Sequence, residues 1–146
     1  MSIDFHVYAT TPAGSSPDEA EALLRAMFID PGFTIDGSGV GFTFYVAEDA
    51  YDIRELYNPF LGSPVTHYVW GRVNKLDLQD VGRNLCRRLS VDYLRRTDAP
   101  CLAMEDMDIF SWARTSAGLV VDPDHEIEQR VFAEAGFEFT TLPPPF

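Results

Sequence analysis

The densest chemical potential in this chain lies in CLAMEDMDIFSW, residues 101–112. Glu105, Asp106 and Asp108 sit there between two apolar runs. Carboxylates at this spacing can act as a general acid/base pair, hold a hard cation, or meet a basic partner. In an extended strand Asp106 and Asp108 share one face and Glu105 takes the other. A hard cation takes about six or more oxygens, so a second acidic segment would have to join. EDAYD, residues 48–52, offers Glu48, Asp49 and Asp52, with Glu55 just beyond. A third reading is a hairpin turn that its charges keep in water.

Other catalytic signatures are missing. GSGVG, residues 37–41, has glycine spacing suggestive of a phosphate loop. Such a loop must lead from a strand into a helix N-terminus, and here a strand follows, so a hairpin turn is expected. There is no G-x-S-x-G elbow. His6, His67 and His125 are far apart and lack metal-ligand spacing, although His6 and His67 both fall on predicted strands and could meet. Cys86 and Cys101 form no C-x-x-C pair and read as free thiols of a cytosolic protein. No metal and no cofactor is expected.

The elements that must position these groups follow from periodicity. SIDFHVYA (2–9) alternates Ile3, Phe5, Val7 against Asp4, His6, Tyr8, a strand with one buried side. Ser16, Pro17 and Glu19 are a helix start with a capping box, and DPG (30–32) ends that helix. FTIDGSGVGFTFYVA reads as a hairpin. Residues 48–64 have helical spacing interrupted by Asn58-Pro59, which predicts a short turn and a loop. VTHYVWGRVNK (65–75) is a strand with a bulge expected at Gly71.

Residues 76–97 form the longest predicted helix, with Leu78, Val81, Leu85, Leu89 and Tyr93 toward the sheet and Arg83 and Arg87 on the far side. A hairpin around the acidic run, a short strand LVVD, a helix from Pro123 to Gly136 and a last strand FEFTT complete the chain before an LPPPF tail. Tight turns join most strands, so the expected fold is α+β: a mostly antiparallel sheet with two or three helices packed on one face. Residues 1–146 read as a single domain, with no linker or repeat.

Charge restricts the partners. Residues 1–50 carry 8 acids and 1 base (net −7), residues 51–100 carry 6 and 8 (net +2), and residues 101–146 carry 9 and 2 (net −7). The whole chain is at −12, which repels nucleic-acid backbones and anionic membranes and steers basic macromolecules inward. The arginines at 83, 87, 88, 95 and 96 are expected to pair with the chain's own carboxylates or to be solvated. No apolar run approaches the roughly 20 residues of a membrane span, and the N-terminus lacks the features of a signal peptide.

NLCRRLSVDYLRRTDAPCLAMEDMDIFSWARTSAGLVVDPD, with SIDFHVYATTP at the start, resembles the Sit-type immunity proteins of bacterial polymorphic toxin systems. The likeness lies in segment order and in Ala99, Gly118, Leu119, Val120 and Val121. The turn differs: EDMD stands where that family has a turn nearer an Asn-Gly type. The resemblance implies a small cytoplasmic protein that binds and neutralises one cognate toxin without catalysis. The toxin would be basic and nuclease-like, held on an acidic surface of Glu105, Asp106 and Asp108 joined by Glu48, Asp49, Asp52 and Glu55. The alternative is a metal-dependent or other small enzyme built on Glu105, Asp106 and Asp108.

Overall fold

The computed structural model describes residues 3–31, 34–35, 40–41, 44–47, 53–73, 79–106 and 109–143. The chain forms strand β1 (Ile3–Thr10), helix α1 (Pro17–Leu24) continuing into a π-helical turn at Arg25–Ile29, and strands β2 (Thr34–Ile35), β3 (Val40–Gly41) and β4 (Phe44–Ala47). Helix α2 (Ile53–Leu61), strand β5 (Val65–Val73), helix α3 (Gln79–Arg96), strands β6 (Cys101–Glu105), β7 (Ile109–Thr115) and β8 (Gly118–Val121), helix α4 (Glu126–Glu134) and strand β9 (Thr140–Thr141) follow.

The main sheet runs β4-β5-β1-β6-β7-β8-β9, and β2 and β3 form a separate two-stranded hairpin. Every pairing is antiparallel except β8 with β9. This is the α+β fold that the pattern of tight turns predicts. The start of α1 and the stop of α4 are where the local chemistry puts them, whereas α4 begins at Glu126 rather than at Pro123. The Ser16 hydroxyl accepts the Glu19 N–H at 3.2 Å and caps α1. Gly136 takes φ +88°, the left-handed turn that ends α4 and that a Cβ would strain.

Both faces of the sheet are covered. Val7, Ala9, Val69, Cys101, Ala103, Trp112 and Val121 pack against Leu24, Met27 and Phe28, against Leu89 and Tyr93 of α3, and against Phe132 of α4. Tyr8, Val65, Leu102, Met104, Phe110 and Val120 pack against Tyr57 and Leu61 of α2 on the other side. The expectation that β1 has one buried side is therefore corrected: His6 and Tyr8 are buried as well. The segment read as turn and loop at 48–64 holds α2, which runs through Pro59. Asn58 stabilises its end, with its carbonyl accepting Gly62 N–H at 2.9 Å and its side chain accepting Val65 N–H at 2.9 Å.

Two strand irregularities shape the surfaces around the sheet. The break in β1–β5 pairing falls at Thr66 rather than at Gly71, which pairs regularly with Phe5 and Phe44. A bulge in β7 gives Ser111 no partner of its own, because Ala103 faces Trp112 and Met104 faces Phe110. Ser111 and Trp112 consequently both look toward the helices, where they line one cavity.

Candidate functional site

The carboxylate Glu105 ends β6 and lies on the face covered by α3 and α4, where it meets Arg83 of α3. Arg83 donates to Glu105 Oε1 twice, from Nε at 3.1 Å and from Nη2 at 2.8 Å. One turn along α3, Arg87 donates from Nε to Glu128 Oε1 of α4 at 2.6 Å and from Nη1 to Asn84 Oδ1 at 2.8 Å. The two guanidiniums thus clasp α3 to the sheet and to α4. Their placement corrects the expectation that they lie on the far side of the helix. The helix is turned so that Gly82, Cys86, Leu89, Ser90 and Tyr93 are buried, while Val81 is 52 % exposed.

His125, at the start of α4, stands between two carboxylates. Its Nε2 is 4.0 Å from Glu105 Oε2 and its Nδ1 is 3.8 Å from Asp122 Oδ1. Neither distance is a hydrogen bond, and among the described residues the buried Nδ1 has no partner. Beside Glu105 lies a cavity of about 40 Å³. Phe5, Cys86, Trp112, Val131 and Phe132 give it apolar walls, and both ion pairs border it. A cavity of this size holds a few waters at most. It is too small for a metabolite and of a size for the end of one apolar side chain.

The expected partners of Glu105 separate. Asp106 takes φ +53°, a conformation that aspartate tolerates. Its N–H donates to Asp4 O at 2.7 Å and its Oδ1 accepts Asp4 N–H at 3.1 Å, so it fastens the strand end to β1. Glu55 belongs to α2, on the opposite face of the sheet from α3 and α4. Asp108, Glu48, Asp49 and Asp52 lie outside the described residues. Among the described residues, no three His, Cys, Asp or Glu side chains form a metal-binding group.

The histidines also part. His6 lies on α2's face, stacked with Tyr8, Tyr68 and Trp70 and bonded through Nδ1 to the Tyr68 hydroxyl. Burial lowers its pKa. Nearby, Arg72 donates to both Asp4 oxygens, at 2.8 and 3.2 Å, and holds that carboxyl below its usual range. His67 sits opposite Ala9, and its Nδ1 pairs with the Thr66 hydroxyl at 2.9 Å. Histidine spacing in the sequence carries no sign of His125, whose environment is made by Asp122 and Glu105.

Both cysteines are free and buried. Burial pushes the Cys86 and Cys101 thiols up to about 12, so the thiolate that attacks an electrophile is scarce. In the folded protein at about pH 8, both are expected to resist a disulfide reagent, and both should react on denaturation. A thiol titration with and without denaturant checks this. Reaction of the folded protein at the rate of a free cysteine would mean that the cleft opens.

Comparison with protein-family models, curated protein sequences and solved structures returns no match. No helix among the described residues is long and apolar enough to cross a membrane. The reading of function therefore rests on the chain's own charge and geometry.

Proposed function

We propose that this chain is a binding protein of immunity type: it holds one basic protein toxin on an acidic surface and blocks it without catalysis. The observation that carries the reading is how the cations are used. Arg83 and Arg87 are spent on Glu105 and Glu128. Arg95 donates to Ala135 O, and Arg114 donates to Leu94 O and Thr97 O. These arginines hold the fold together, and Arg88, Arg96 and Arg130 stay exposed. Exposed carboxylates at Asp18, Glu19, Asp80, Asp124, Glu126 and Glu134 belong to a chain with a net charge of −12. Such a field speeds encounter with a basic protein and repels nucleic acid.

Glu105 and Asp106 then have a prior duty in the fold, through Arg83 and the Asp4 backbone. Their bonding to separate partners gives the enzyme alternative no support. The test is co-expression with the product of the adjacent upstream gene. The expected result is that cells expressing that product grow only when this chain is present. Equal killing with and without it overturns the proposal.

A further inference from the structure

We infer that the mouth of the α3–α4 cleft is where the basic partner docks, and that it receives an apolar side chain flanked by lysine or arginine. The inference rests on the proposed immunity function and names its surface. Ile109 faces Glu105 directly across β6 and β7 and is 43 % exposed. Ile127, in the first turn of α4 two residues past His125, is 45 % exposed. Ile109 is thus the cross-strand neighbour of Glu105 and Ile127 the chain neighbour of Glu128, and these two carboxylates, with Arg83 and Arg87, border the apolar cavity. An apolar anchor over a cavity, ringed by polar groups, is the arrangement in which binding energy concentrates.

The charge at the mouth selects the flanks of that anchor. Glu105 Oε1 takes both Arg83 bonds, while Oε2 lies beyond hydrogen-bond reach of His125 and accepts no bond among the described residues. An ammonium or guanidinium entering there gains a carboxylate oxygen that no described residue uses. Asp80, whose side chain is 96 % exposed, stands on the α3 wall, and Asp124 and Glu126 are exposed beside His125. A second copy of this chain is disfavoured as occupant, because at −12 each it would bring acid against acid.

The experiment uses the full chain and the purified product of the adjacent upstream gene. Ile109→Lys with Ile127→Lys is expected to weaken binding roughly thirtyfold or more and to remove protection in co-expression. Ala22→Lys with Ala26→Lys, both exposed on α1 and the turn that continues it, is expected to leave affinity within about threefold, since distant charges mainly alter the association rate. Ile109→Ser with Ile127→Ser gives the same loss without the added charge, and a thermal melt of each variant shows that it is folded. If the unaltered chain protects and the isoleucine variants protect equally, the docking surface is wrong and the function stands. If the unaltered chain neither binds nor protects, the function fails and the surface with it.

Discussion

Replacing Trp112 with alanine is expected to destabilise the fold by about 3–5 kcal/mol, at the top of what a single core truncation costs. Trp112 is 1 % exposed and lies at the middle of β7, opposite Ala103 on β6 and Val121 on β8. Its ring meets Phe132 of α4 edge-on, with centroids 5.8 Å apart and planes at 83°. That geometry favours the pair by roughly 0.5–1.5 kcal/mol beyond the area it buries. The indole also lines the cavity beneath the ion pairs. Its removal joins the new void to an existing one, and a sheet floor hydrogen-bonded on both sides cannot collapse to fill it. The cost should therefore fall near the upper end of the range, or roughly 10 °C or more in Tm. Urea unfolding followed by circular dichroism measures it, because Trp112 is one of only two tryptophans and its loss confounds fluorescence. A loss below about 1 kcal/mol would show that α4 does not pack closely on β7.

How far the fold can be read beforehand depends on which signals sequence carries. The β6–β7 hairpin, the α1 cap and the Gly136 stop are local, set by two apolar runs around a charged stretch, a Ser-x-x-Glu spacing and a glycine, and all three are legible. The sheet-facing side of α3 is legible in part: Leu85, Leu89 and Tyr93 pack on the core as their spacing predicts, but the rest of that side is built from small residues. Gly82, Cys86 and Ser90 are buried there, and Ser90 satisfies its hydroxyl on Cys86 O at 2.8 Å. Hydrophobic periodicity gives weight to Val81 instead, which stays outside. Helix α2 is hidden by Pro59, which removes one donor but leaves the apolar spacing of Tyr57, Phe60 and Leu61 intact. Without α2, His6 and Tyr8 look solvent-facing. Of the site, Glu105 is visible from its neighbours. Arg83, His125 and Glu128 are not, because only the packing of α3 and α4 brings residues so distant in sequence together.

The second large effect concerns the pair that joins those helices. Arg87→Met is expected to cost about 3 kcal/mol, whereas Arg87→Met with Glu128→Met together should cost about 1 kcal/mol or less. Both side chains of the pair are mostly shielded, at 15 % and 13 % exposure, and their contact is 2.6 Å. Removing the guanidinium leaves a carboxylate in a cleft walled by Val131 and Phe132 with no counter-charge, whereas Asn84 Oδ1, on an exposed residue, takes water in its place. The methionine keeps most of the arginine's volume, so the loss reports charge rather than a void. Removing both charges relieves the desolvation cost of each and returns apolar contact to the cleft. The contrast is Arg25 with Glu21, at 48 % and 33 % exposure on α1. Water and salt already screen that pair, so Arg25→Met should change stability by no more than about 0.5 kcal/mol. A double-mutant cycle on each pair, by urea unfolding at low and high salt, separates the two cases. Equal coupling energies, or a coupling at Arg87–Glu128 that disappears in high salt, would mean that the cleft between α3 and α4 is open to water. The clasp would then be a surface contact, and Ile109 and Ile127 would not rim an apolar anchor site.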